Sequence, residues 1–273
     1  MTSGFARPGD QRAPERGTGT YVTGAEPIAL DAGPRGVLIL HGFGDTPQSV
    51  RGLATVLHAN DWTVRAPALT GHGSTLHALT KSRAADWLAD ARNALEEVRG
   101  RATTVAVIGQ SMGGALATIL AAESRIDALV LLVPFLELTP RGVAIAKFHR
   151  VVSLFKPYLR SRSDASILDP VARRNALGQG IATPRLLHEL SLVVRQARRS
   201  APRVNVPTLV IHSRRDPRIT ITSAEDSFRR YGCQEKCLEW AERSGHVLTV
   251  DHDRDWVATR TLEWLGAHSQ PAK

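Results

Sequence analysis

Cysteine is almost missing from this chain: Cys233 and Cys237 are the only two among 273 residues. Two thiols cannot build a disulfide framework or a four-cysteine zinc site, so neither a stapled scaffold nor a zinc fold of that kind is available. Their spacing of four falls where a turn leads into a strand, and they read as ordinary buried thiols rather than a redox loop. Long apolar runs are missing too. No stretch reaches the ~18 apolar residues that a membrane span needs. The opening segment MTSGFARPGDQRAPERGTGT contains no apolar core of the signal-peptide kind. Residues 1–20 are therefore expected to form a disordered lead-in and the chain to stay in the cytoplasm. Lysine is scarce, at 5 residues against 30 arginines.

What is present is a strong positive balance, a formal net charge of +9. Such a surface suits contact with nucleic acid or attraction to anionic lipid, or it is a solvated face filled with arginine. The basic residues are spread along the chain rather than gathered in one run, and no nucleic-acid-binding motif accompanies them. A hydrophobic content of 42% is enough to bury one sizeable core.

Strand-like and helix-like segments alternate. Gly36–Leu40, Trp62–Ala66, Thr103–Ile108, Ala128–Val133, Pro207–Ile211 and Lys236–Ala241 are short apolar runs suited to strands buried on both faces. Between them lie amphipathic segments: Thr46–Ala59, a helix capped by Ser82 and ended by Gly100, Met112–Glu123, Ser223–Tyr231, and Asp251–Ala267 with acidic residues in its first turn. This alternation predicts an α/β fold with a mostly parallel central sheet and helices on both faces. Residues 136–204 break the rhythm, with two or three helices and no convincing strand. They are expected to form a helical cap over a core made of 21–135 and 205–270, because ligands bind beyond the carboxyl ends of parallel strands.

The strongest chemical signal is Gly109-Gln110-Ser111-Met112-Gly113-Gly114, directly after a buried strand and before a helix. A tight strand-to-helix turn lifts the central hydroxyl above the sheet, and only small residues fit beside it. The new helix aims free amides, that of Met112 included, at the oxygen that becomes negative during attack. Serine needs a base. Of ten histidines, His246 sits in a short loop after the last strand, where it reaches the sheet's carboxyl edge. His252, His268, His149 and His188 lie in helical or terminal segments, and His41 and His72 adjoin loop glycines and suit the lining of a site. Asp216, after the preceding strand, is the expected orienting acid, with Asp226 and Asp251 as weaker alternatives. The chain order Ser111, Asp216, His246 suits this fold. A second amide donor is expected at Phe43, in the His41-Gly42-Phe43-Gly44 loop.

These motifs, together with HGFGDTPQS (41–49), RAPALTGHG (65–73), ADW (85–87), SRRDPRI (213–219) and SGHVLTVDHD (244–253), resemble the α/β-hydrolase superfamily. Within it the chain resembles bacterial carboxylesterases and monoacylglycerol lipases with a small helical cap. The resemblance runs over about residues 36–268 in the family's order. It implies an α/β-hydrolase fold, Ser111, Asp216 and His246 as the triad, and Phe43 and Met112 as oxyanion donors. The implied substrate is a small acyl ester, a medium- or long-chain monoester such as a monoacylglycerol. No metal and no organic cofactor are called for. Thioester or lysophospholipid cleavage on the same triad, or ligand binding with a vestigial triad, are the alternatives, and neither the fold nor the triad implies an oligomeric state.

Ile145, Phe148, Val152, Phe155 and Leu159 fall on one helical stripe, with Lys147, His149, Arg150, Lys156 and Arg160 largely off it. Such a stripe packs onto the main domain, lines an acyl pocket through Ile145, Phe148 and Val152, or rests on an anionic lipid surface.

Overall fold

A computed structural model of the chain describes residues 21–160 and 166–269; the expected lead-in 1–20 lies outside them. Its centre is a seven-stranded sheet in the order β1-β3-β2-β4-β5-β8-β9. The strands are β1 (Ile28–Leu30), β2 (Arg35–Leu40), β3 (Trp62–Ala66), β4 (Thr104–Gln110), β5 (Ala128–Leu132), β8 (Thr208–Ser213) and β9 (Lys236–Ala241). Only β1 runs antiparallel, against β3. All six expected strands are there, and β1, a three-residue edge strand, is additional.

The apolar runs are continuous because both sheet faces are covered. In β2, Val37 and Ile39 face one way and meet Leu53, Leu57 and Leu265 of α1 (Arg51–His58) and α10 (Arg254–His268). Leu38 and Leu40 face the other way, towards Trp87, Leu95 and Leu116 of α3 (Ala84–Arg99) and α4 (Met112–Glu123). In β4, Val107 and Ile108 divide in the same manner and are fully buried. Truncating such a side chain to alanine costs about 2–5 kcal/mol. Ser82 does not cap α3: its hydroxyl donates to the Leu79 carbonyl. The N-cap position is Arg83, whose N–H is accepted by Asp86. That leaves Ser82 to end the short helix α2 (Leu76–Lys81).

β5 and β8 are sheet neighbours, so residues 133–207 are inserted between adjacent strands. Among its described residues the insertion holds four α-helices where two or three helices were expected: α5 (Pro140–Lys147), α6 (His149–Phe155), α7 (Pro170–Asn175) and α8 (Pro184–Ser200). It also holds two short antiparallel strands, β6 (Leu159–Arg160) and β7 (Ile181–Ala182). α8 anchors it. Thr183 caps that helix by accepting the Leu186 N–H, and Leu186, Leu190, Val193 and Ala197 bury one face in the cluster that contains α4. The expected apolar stripe is not one helix. Phe148 ends α5 and begins α6, and its side chain is exposed rather than packed down. Among the described residues no helix is long and apolar enough to cross a membrane.

Candidate active site

Ser111 leaves β4 and starts α4 with φ 54° and ψ −115°. A non-glycine residue in this region stores roughly 1–3 kcal/mol of strain, which the surroundings must hold in place. They do so through the Ser111 N–H to Leu132 carbonyl bond (2.9 Å) and the Phe135 N–H to Ser111 carbonyl bond (3.0 Å). The flanking glycines are needed for space. A Cβ on Gly109 would overlap the Gly113 carbonyl, and one on Gly113 would overlap that of Leu40.

The structure brings the three expected side chains together. His246 Nε2 lies 2.8 Å from Ser111 Oγ, and its Nδ1–H donates to Asp216 Oδ2 at 2.7 Å. Asp216 is delivered by the turn after β8, and its other oxygen accepts the Arg218 and Ile219 N–H groups at 2.7 and 3.1 Å. Burial works to raise the Asp216 carboxyl, but the His246 ring and the Arg218 amide hold it below the ordinary aspartate value. It is thus kept as an anion facing the imidazole.

Two groups fix the His246 loop: Asp251, which the sequence offers only as a weaker candidate acid, and Ser166, which it does not single out. Asp251 was weighed as an acid and as a helix-start charge. It is fully buried and accepts four backbone N–H groups: Leu168 and Gly245 on Oδ2, Asp169 and His252 on Oδ1, at 2.7–2.9 Å. α10 begins only after it, at Arg254, with Asp255 as the acid of its first turn. Ser166 does related work from the insertion. Its carbonyl accepts the His246 and Val247 N–H groups at 2.7 and 3.0 Å, and its hydroxyl accepts from Arg218 Nε at 2.9 Å. One inserted residue therefore touches both the acid-bearing and the base-bearing loop. Asp253 completes the brace by accepting the Arg243 and Ser244 N–H groups.

Opposite His246, the loop after β2 passes so close that a Cβ on Gly42 would stand 3.3 Å from that of Ser111. Among the described residues the N–H groups of Phe43 and Met112 have no hydrogen-bond partner. His41 supports this loop from below. Its Nδ1–H donates to the Gly42 carbonyl (2.9 Å) and its Nε2 accepts the Leu69 N–H (3.2 Å). His41, Phe43, His72 and Trp87 meet edge to face with ring centres 5.1–6.0 Å apart. Burial pushes His41 down to about 4 and His72 to about 3, so both rings are neutral packing elements.

Asp45, two residues past Phe43, is raised to about 6 by burial, against the opposing pull of Ser49, the Thr46 amide, His246 and Arg218. It borders a cavity of about 490 Å³ with Gln48, Ile167, Val247 and Thr249. Of the expected acyl-pocket residues, Ile145 and Val152 are half-buried on α5 and α6, and Phe148 is exposed between them. None of the three borders that cavity. The remaining candidates lie elsewhere: Asp226 pairs with Arg229 on α9 (Ile221–Arg229), and His268 with Glu235. His149 stacks on His188.

The family model for serine aminopeptidase S33 (Hydrolase_4) matches residues 34–253. The chain is 30% identical to the thermostable monoacylglycerol lipase of Bacillus sp. (strain H-257), covering 91% of this chain and 97% of that one. It is 26% identical to the carboxylesterase of Bacillus subtilis (strain 168), over 88% and 96% of the two chains. A solved structure reported with the metagenome-derived lipolytic enzymes LipS and LipT superposes with a TM-score of 0.84 at 31% identity, covering 90% of this chain and 98% of that one. The fold is also that of a soluble variant of monoglyceride lipase from Saccharomyces cerevisiae, at a TM-score of 0.75, 15% identity, and 90% and 92% coverage.

Proposed function

The chain belongs to the Hydrolase_4 family, serine aminopeptidase S33, and from that premise we propose that it hydrolyses carboxylic esters through an acyl-enzyme on Ser111. His246 Nε2 takes the Ser111 proton as Oγ attacks the ester carbonyl carbon. The carbonyl oxygen becomes an oxyanion held by the Phe43 and Met112 N–H groups, each worth roughly 10²–10³ in rate in sites of this kind. His246 returns the proton to the departing alcohol. Water, deprotonated by the same ring, then attacks the acyl-enzyme and releases the acid and free Ser111. Asp216 keeps the ring in the required tautomer and faces the imidazolium that forms twice per turnover.

The observation that carries this reading is the continuous relay Ser111 Oγ to His246 to Asp216, with contacts of 2.8 and 2.7 Å. The choice of a medium- or long-chain monoester such as a monoacylglycerol draws its support from the two relatives named for lipase and carboxylesterase activity. Hydrolysis of p-nitrophenyl esters of increasing chain length and of monoacylglycerol, beside Ser111→Ala, tests both parts. The variant is expected to lose roughly 10⁴-fold or more in kcat and all labelling by a fluorophosphonate. A wild type that resists the probe and cleaves no ester overturns the reading. Preference for short esters or thioesters overturns the substrate alone.

A further inference from the structure

We propose that the basic cavity between α6, α8 and the start of α3 binds the phosphate of an anionic phospholipid, with the apolar edge of α6 seated in the same membrane surface. The cavity is an open depression of about 580 Å³. Among the described residues, Arg83, Arg150 and Arg185 line it with Glu189 as the one carboxylate, already engaged by the Ala84 N–H and by Arg185. Arg185 is committed to Glu189 and to the Thr80 and Ser82 carbonyls, which leaves the guanidinium groups of Arg83 and Arg150 as donors with the planar geometry that suits phosphate oxygens. Two rings complete the wall. His149 and His188 stack with centres 4.2 Å apart, and each donates Nδ1–H to the same acceptor, the Ala146 carbonyl, at 3.1 Å. That shared bond fixes both rings and leaves each Nε2 as the remaining polar atom.

The second observation is the adjoining flank of α6, where Leu154 follows Arg150 by one turn. Leu154 is 80% and Phe155 85% exposed, and Val151 and Tyr158 are more than half exposed. Single apolar residues on a surface are ordinary, but four on one short helix and its exit, beside the exposed Phe148, are the concentration that marks a contact surface. Lys147 and Lys156 flank it and are exposed. Apolar side chains ringed by cations next to a cationic cavity match a leaflet of negative headgroups over hydrocarbon, where each nearby cation contributes about fivefold in affinity. A protein partner would have to supply apolar and acidic features in the same order, whereas an anionic membrane has them by construction.

The proposal does not depend on the chemistry at Ser111, so Ser111→Ala is expected to bind membranes as the wild type does. The test is co-sedimentation of the full chain with vesicles of phosphatidylcholine alone and of phosphatidylcholine mixed with phosphatidylglycerol, at low and high salt. Binding is expected only to the mixed vesicles and is released by salt. Arg150→Ala is expected to weaken the partition roughly fivefold, and the pair Leu154→Ser and Phe155→Ser more than about tenfold. Melting temperatures check that each variant is folded. Three results overturn the proposal: equal loss from Arg125→Ala, which sits away from the cavity after α4; stabilisation by inorganic phosphate through Arg150 without vesicle binding; or a dimer that the Leu154 and Phe155 changes dissociate without any effect on vesicles.

Discussion

Replacing Asp251 by asparagine removes one of two carboxylate oxygens from a site where four backbone N–H groups converge. An amide has one acceptor oxygen. Whichever way it is turned, two N–H groups lose their acceptor and face an NH₂ group instead. If the nitrogen takes the Oδ2 place, those two are Leu168 and Gly245. Hydrogen bonds to a charged acceptor contribute about 1.5–3 kcal/mol each, and the side chain is fully buried, so water cannot replace them. After partial relaxation the expected loss is about 3 kcal/mol, or a fall in Tm of roughly 6–12 °C for a chain of this size. Gly245 leads directly into His246, so the base moves with it. A displacement of about 1 Å at a catalytic group costs on the order of 10² in rate. Well below the new Tm, Asp251→Asn should therefore lower kcat about a hundredfold and leave KM little changed. Fluorophosphonate labelling should slow in parallel, because it reports Ser111 activation without turnover. A variant that melts within about a degree of wild type and keeps kcat within about twofold would refute the clamp.

Two further outcomes follow from buried titratable groups. His41 and His72 are held at about 4 and 3 in the folded chain, against 6.5 for a free imidazole. Their folded pKa is depressed, so the unfolded chain binds protons first; stability is complete above pH 6.5 and is lost as pH falls towards 4. By pH 5 each costs roughly 2 kcal/mol, as does His212, which burial likewise holds at about 4, so Tm should drop steeply between pH 7 and 5, and His72→Phe should remove about a third of the drop. A flat Tm profile counts against neutral buried rings. Asp45 runs the other way: its folded pKa is raised from 3.8 to about 6. Its contribution is intact below pH 3.8 and is lost as pH rises through 6. Asp45→Asn should thus raise stability at pH 8 by about 1–2 kcal/mol, after allowance for its partial exposure, and change nothing at pH 3.5, as differential scanning calorimetry at both pH values would establish.

The features legible in the sequence were those written locally. Val105–Ile108 followed by GQSMGG encodes a buried strand, a strained turn and a helix within about a dozen residues, and all three stand as read. Asp216 and His246 were readable for the same reason, each lying a few residues beyond an apolar run. β1 was not readable, because three residues, Ile28 to Leu30, carry no periodicity. The stripe from Ile145 to Leu159 has helical spacing, but spacing says nothing about whether a facing surface exists; α5 and α6 meet at Phe148 and leave the apolar side open. Asp251 illustrates the deeper limit. Its partners Leu168 and Asp169 lie more than eighty positions away, so the local pattern DHD suggests a helix start and nothing else.

The double contact of Ser166 bears on how far this architecture is modular. Residues 133–207 look like a passenger inserted between two neighbouring strands, the kind of segment one would exchange between relatives to change selectivity. Yet the stretch around Ser166 to Asp169 is tied to Arg218, His246, Val247 and Asp251, which belong to the host. A chimera that swaps the whole insertion would carry foreign struts into the reactive centre and would be judged inactive for reasons unrelated to its new substrate surface. The exchangeable unit is shorter: it ends ahead of Ser166, so that the donor supplies the roof and the recipient keeps its own keystone.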